Sequence, residues 1–236
     1  MKPVAKTAGD AMSDDVRKAI AELGLPARQL FRFTVLCREK SPLWTSSGAQ
    51  LDESYRLPDL PGMDHAPSGL DVRAAWSVEG LAFAFELRRG TARPHPPRAG
   101  SSDGPWVRLY IDTRDVRNVH RAGRFCHRFD FRMRRLASGR LTPTAAWMPV
   151  PNAKAMPNAV PADALEAIAK PLDDGWSLEV FIARSALTGY EPNEFFRIGL
   201  QYVAYDPHLG MRVFSSGEPL PYESDPSLWA AVDLIP

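Results

Sequence analysis

From about residue 28 onward, apolar and polar positions either alternate with a period of two or gather in short apolar runs. RQLFRFTVLC (28–37), LDVRAAWSV (70–78), LAFAFELR (81–88), WVRLYIDT (106–113) and HRFDFRMRR (127–135) have strand character, as do WSLEVFIA (176–183), FRIGLQYVAYD (196–206) and LWAAVDLI (228–235). Turn residues separate them, as in VEG before Leu81 and DDG before Trp176. The stretch VPADALEAIAKPLDDGW has some helix propensity, but Pro171 and the DDG turn favour a strand entering a hairpin with Trp176. Many strands with little helix predict an all-β fold, a two-sheet antiparallel sandwich of jelly-roll type.

Ahead of the strands, SDDVRKAIAELGLP carries a Ser13 cap, Asp14 and Asp15 in a first turn, and Gly24 then Pro26 as stop signals. Residues 1–27 are therefore predicted to form a helical extension and residues 28–236 a single sandwich domain. TARPHPPRAGSSDGP (91–105) is predicted to be a loop between strands. Trp76 and Trp176 fall in alternating strands and are predicted core residues, whereas Trp44 and Trp147 lie in less regular stretches and are candidates for exposed stacking.

Composition narrows the functional classes. The 236 residues carry 29 Lys and Arg against 28 Asp and Glu, so a net charge of +1 gives no global field for nucleic acid. No segment has the length and apolarity of a leader or membrane span, which points to the cytoplasm and away from a membrane. Cys37 and Cys126 are the two cysteines, without CxxC spacing, and are expected to be buried free thiols.

The basic stretch YIDTRDVRNVHRAGRFCHRFDF spaces Arg114, Arg117, Arg121, Arg124 and Arg128 by steps of three and four, as a phosphate-gripping helix would. It begins at the end of one strand and finishes at the start of the next, with Asn118 and Gly123 between, so a loop is the expectation. In the strand that follows, Phe129, Phe131 and Met133 alternate with Arg128, Asp130, Arg132 and Arg134. The apolar residues are assigned to the core, and the charges to a solvated face with cross-strand acidic partners or, alternatively, to a cationic surface that recognises an anionic glycan or another acidic polymer.

His120, Cys126 and His127 have the chemistry of metal ligands or of an enzyme, but adjacent strand residues face opposite sides. No nucleophile elbow or paired-histidine motif occurs, so no catalysis is expected. Asp112, Asp115 and Asp206 suit a loop calcium site in residue type, without the ordered spacing of a calcium loop, and no cofactor is otherwise expected.

Taken in order, LDVRAAWSVEGLAFAFELR, VRLYIDTRD, HRFDFRM, DGWSLEVFIARSALTGY, FRIGLQYVAYD and DPSLWAAVDLI resemble the family nine carbohydrate-binding modules and the related DOMON-like sandwiches over about residues 68–236. The resemblance implies a non-catalytic sandwich that binds sugars by stacking on aromatics at loops. The chain departs from the pattern at both platform positions. Trp106 stands too near Asp112 for the first, and at the second Tyr222 is one residue out of register. The expected function is binding of a saccharide or related polyol. Arg117, His120, Arg121 and Arg124 are the candidate hydrogen-bonding residues, and Trp147 or Tyr222 the stacking face. An intracellular protein-interaction domain that has lost the sugar site is the alternative, with a protein as its partner.

Overall fold

The computed structural model describes residues 33–60, 68–90 and 104–236. The predicted N-terminal helix, residues 28–32 of the first predicted strand and most of the 91–105 loop lie outside these residues.

Eleven strands are present among the described residues: β1 (Thr34–Glu39), β2 (Leu70–Ser77), β3 (Gly80–Arg88), β4 (Trp106–Asp112), β5 (Cys126–Arg135), β6 (Leu141–Met148), β7 (Leu165–Leu172), β8 (Gly175–Ala183), β9 (Arg197–Asp206), β10 (Gly210–Val213) and β11 (Ala230–Ile235). Among the described residues, helix is confined to three-residue 3-10 turns, such as Pro226–Leu228. The ambiguous segment before the DDG turn is strand β7, paired antiparallel with β8 through Pro171 opposite Trp176. Two strands were not foreseen. β10 has only four residues. β6 carries Pro143, which a central strand would not tolerate. Met133, opposite Pro143, donates its N–H to Pro105 on its other side, so the absent Pro143 N–H belongs to the side facing away from β5.

The strands hydrogen-bond in the order β6-β5-β4-β9-β11-β1-β2-β3-β8-β7, with β10 also on β9, and the terminal strands β6 and β7 lie alongside each other. The result is a nearly closed sheet flattened into two layers. All pairings are antiparallel except those of β1 with β11 and β2, which form the join between layers. Between the layers, Phe83, Phe85, Phe129, Phe131, Trp176 and Tyr202 are at most 2% exposed. Truncating one such aromatic to alanine costs about 3–5 kcal/mol. Trp76 and Trp176 are buried, as predicted.

The buried carboxylate of this interior is paired. The Asp206 carboxylate accepts from Trp176 Nε1 (3.1 Å), from the Arg89 guanidinium (2.9 Å) and from the His208 amide (2.8 Å). Burial opposes its ionisation, but these hydrogen bonds outweigh burial and hold its carboxyl below the usual range. Cys37 and Cys126 are buried free thiols, each pushed up to about 12 by burial.

Candidate ligand-binding face

The period of two in β4 sends Val107, Leu109 and Ile111 into the core and leaves Trp106, Arg108 and Tyr110 on the outer side of the layer. The register then builds a site from three strands. Trp106 lies between Tyr205 of β9 and Arg132 of β5; Arg108 lies between Val203 and Asp130; Tyr110 lies between Gln201 and Arg128. β10 extends the same face with Met211 opposite Tyr205 and Val213 opposite Val203.

Trp106 is half-buried and stacks on Tyr205, ring centroids 5.4 Å apart and planes 19° off parallel. The Arg108 guanidinium stands 5.1 Å from the Trp106 ring centre, within cation–π range. It is anchored by Asp130 (3.2 Å) and by Glu223 (2.7 Å) from the segment before β11. Asp130 also accepts two hydrogen bonds from Arg128, at 2.8 and 2.9 Å. Burial raises the cost of charge on Asp130, but hydrogen bonding from Arg128 and the field of Arg108 outweigh it and lower its pKa. The carboxylate therefore stays ionised between two fixed, planar guanidinium groups.

Beneath this polar row Tyr110, Val203, Tyr222 and Trp229 pack into a second apolar cluster. Burial, first among the causes, pushes the Tyr110 phenol up, with Arg108 pulling the other way. The Tyr110 hydroxyl is buried and has no hydrogen-bond partner of acceptable geometry among the described residues. Such an atom is rare in folded proteins and calls for a missing partner.

The residues singled out from sequence distribute differently. Residues 113–125 form a loop without helix, as expected, and its cations are engaged locally. Arg117 pairs with Asp115 (2.7 Å) and Arg121 donates to the Asn152 carbonyl (3.1 Å). Arg124 lies over the Phe125 ring at 4.7 Å. His120, with an exposed ring, contacts the Asp225 carboxylate (3.0 Å) and the Ser227 hydroxyl (3.1 Å). Through Ala122, which joins the cluster of Tyr110 and Tyr222, this loop borders the face.

Tyr222 belongs to the face but is only 6% exposed; its carbonyl accepts from Trp229 Nε1 at 2.8 Å. Trp147 takes the opposite direction. It pairs with Phe129 and packs with Ala145 against the main core, so it does not share a surface with Tyr222. Trp44 stacks on Phe181 (5.9 Å) and donates to Glu166 (2.9 Å) on the other layer.

Cys126 and His127 face opposite sides, Cys126 in the outer cluster and His127 stacked on Phe129 inside. Burial pushes His127 down to about 4, and the Thr188 amide donates to its Nε2 at 2.9 Å. It is neutral and occupied as an acceptor. Asp112 accepts from the amides of Arg114 (3.0 Å) and Val116 (2.9 Å), closing the turn after β4. Among the described residues no group of three or more His, Cys, Asp or Glu is arranged to hold a metal ion.

From sequence, Trp106 is set aside as a platform, Asp130 is placed only on the outward charged face, and Arg108 and Glu223 are not singled out as ligand contacts. The alternation in WVRLYID already placed Trp106 and Arg108 on one face. Glu223 is 115 residues from Arg108, and no local pattern signals that contact.

No protein-family profile and no curated protein matches the chain. Solved structures do. A family 9 carbohydrate-binding module from Caldicellulosiruptor kristjanssonii in complex with cellotriose is similar over 86% of this chain and 94% of its own, with a TM-score of 0.55 at 13% identity. The same organism's module in complex with glucose is similar over 86% and 95%, with a TM-score of 0.53 at 13% identity. The chain thus has the fold of these modules.

Proposed function

We propose that the protein is a non-catalytic saccharide-binding module whose ligand lies on the outer face of β4, β5 and β9. The observation that carries this is the Arg108–Asp130–Arg128 row beside a half-open tryptophan. A pyranose presents an apolar C–H face and a rim of hydroxyls. Trp106 suits the former, and fixed planar guanidinium and carboxylate groups suit pairs of the latter. Because the row is locked by its own ion pairs, little ordering is required on binding. The similarity in fold to modules solved with cellotriose and glucose supports the same use.

In this arrangement Glu223 is the most accessible acceptor, its side chain 45% exposed, and Tyr222 positions it from below rather than stacking on the sugar. His120 and Arg121 contribute rim contacts, Arg117 and Arg124 stiffen the loop, and Trp147 supports the core side. No cofactor enters the binding.

Isothermal titration of the intact protein with neutral and acidic oligosaccharides tests this. Binding should weaken about 30-fold in Trp106→Ala and less in Glu223→Gln, in variants that still melt cooperatively. Unchanged affinity in Trp106→Ala, or a flat response to every saccharide, would refute the proposal.

A further inference from the structure

The face continues past Trp106 into a basic strip. Arg132 lies opposite Trp106, and Arg134 follows two positions on, about 7 Å further along the same face of β5. Both are exposed, and neither makes an ion pair with a described residue. This contrasts with Arg108 and Arg128, which share Asp130. On its β6 side the strip faces polar residues, Arg132 opposing Thr144 and Arg134 opposing Thr142, and is open to hydrogen bonding.

The sequence around it holds no carboxylate either. Between Asp130 and Asp163 there is no carboxylate, yet the segment holds Arg132, Arg134, Arg135, Arg140 and Lys154. In a chain of net charge +1, this is a local concentration of charge rather than a reflection of the whole.

From this we infer that the ligand is an acidic oligosaccharide, carrying a carboxylate or sulfate on the unit beyond the one stacked on Trp106. Guanidinium forks match both anions in two-point geometry. The row at Arg108 and Asp130 then holds the hydroxyls of one unit, and Arg132 with Arg134 holds the acid of the next. This rests on the saccharide-binding assignment and specifies its substrate class.

The test compares tetragalacturonate with its fully methyl-esterified form, which keeps the backbone and removes the charge, alongside a sulfated carrageenan oligosaccharide and a single-stranded DNA dodecamer. Two exposed arginine–anion contacts predict about fivefold tighter binding of at least one acidic sugar than of the ester at low salt. That margin should shrink as salt screens it. The ranking of galacturonate and carrageenan identifies the anion. Arg132→Gln combined with Arg134→Gln should erase the margin while leaving ester binding within about twofold, since exposed substitutions of this kind perturb folding little.

Equal binding of acid, sulfate and ester sinks the inference but leaves the saccharide-binding assignment standing. Failure of every sugar to bind overturns both. DNA binding as tight as that of the acidic sugars, or acidic-sugar binding that is unchanged in Trp106→Ala, also overturns it, because the strip would then be a general polyanion surface.

Discussion

The two outer faces of the sandwich carry similar residues and treat them in opposite ways. On the β2-β3-β8-β7 layer, residues 40–57 fold over the sheet and bury Leu43, Ala49 and Leu51 against Ala75 and Ala82. Trp44 is spent on Phe181 and Glu166, and Glu179 accepts from the amides of Ala49 (2.8 Å) and Gln50 (3.2 Å). On the β6-β5-β4-β9 layer a tryptophan, arginines and carboxylates recur and Trp106 is half-buried, as Trp44 is; here Ala122, Val150 and Tyr222 pack on Tyr110 and Val203, and the neighbouring Arg108 is met by the polar Glu223. Possession of an aromatic and a carboxylate is therefore not what distinguishes a binding face. What differs is the chemistry of the cover, apolar over Ala75 and Ala82 and polar, through Glu223, over Arg108.

The sharpest way to break this comparison is to remove the cover. Leu43→Ala deletes a side chain that is 0% exposed and should cost about 3 kcal/mol in chemical denaturation without changing saccharide affinity. A parallel loss of affinity would mean that the two faces are not independent.

Acidification probes the layer beneath the open face. His127 is pushed from 6.5 to about 4 by burial, so between those values the unfolded chain binds a proton that the folded one refuses. His127 by itself should remove on the order of 3 kcal/mol of stability as pH drops from about 6.5 to 4, opposed in part by Asp112 and Asp115, whose carboxyls burial raises above the usual range so that the folded chain takes up their protons more readily. Denaturation midpoints across the range measure it, and His127→Gln should flatten the slope. Below the ordinary aspartate range Asp130 and Asp206, both held low, add to the loss.

Trp106→Ala comes next, with a loss of about 30-fold in saccharide affinity, as for a stacking anchor worth about 2 kcal/mol. Trp44→Ala should change stability but leave affinity alone. The reverse pattern would exchange the roles of the two faces. The smallest effect is expected at the rim, where His120→Ala and Arg121→Ala should each weaken binding by no more than about threefold, in keeping with exposed polar contacts.

Much of the fold was legible because its strands keep a strict period of two. HRFDFRM separates Phe129, Phe131 and Met133 from Arg128, Asp130 and Arg132, and the structure places the two sets on opposite sides. β6 was not legible. LTPTAAWM mixes small and polar residues with a proline, and its partner β5 fixes its register. The same blurred alternation concealed that Trp147 faces inward.

The site was less legible than the fold. Arg108 and Asp130 sit on adjacent strands, and their juxtaposition depends on the register between β4 and β5. Glu223 reaches them from a segment whose path is set by Trp229 hydrogen-bonding to the Tyr222 carbonyl. The arginine spacing in 114–128 drew notice on a helical period that the backbone does not adopt. The outward arginines of β5 carry the more informative pattern.

The most direct test of saccharide binding at the open face follows the indole N–H signals of the six tryptophans by NMR, during titration with cellotriose and with tetragalacturonate. The Trp106 signal should shift and saturate while those of Trp44, Trp76 and Trp176 stay in place. A shift confined to Trp44 or Trp147, or no shift with either sugar, would contradict saccharide binding there.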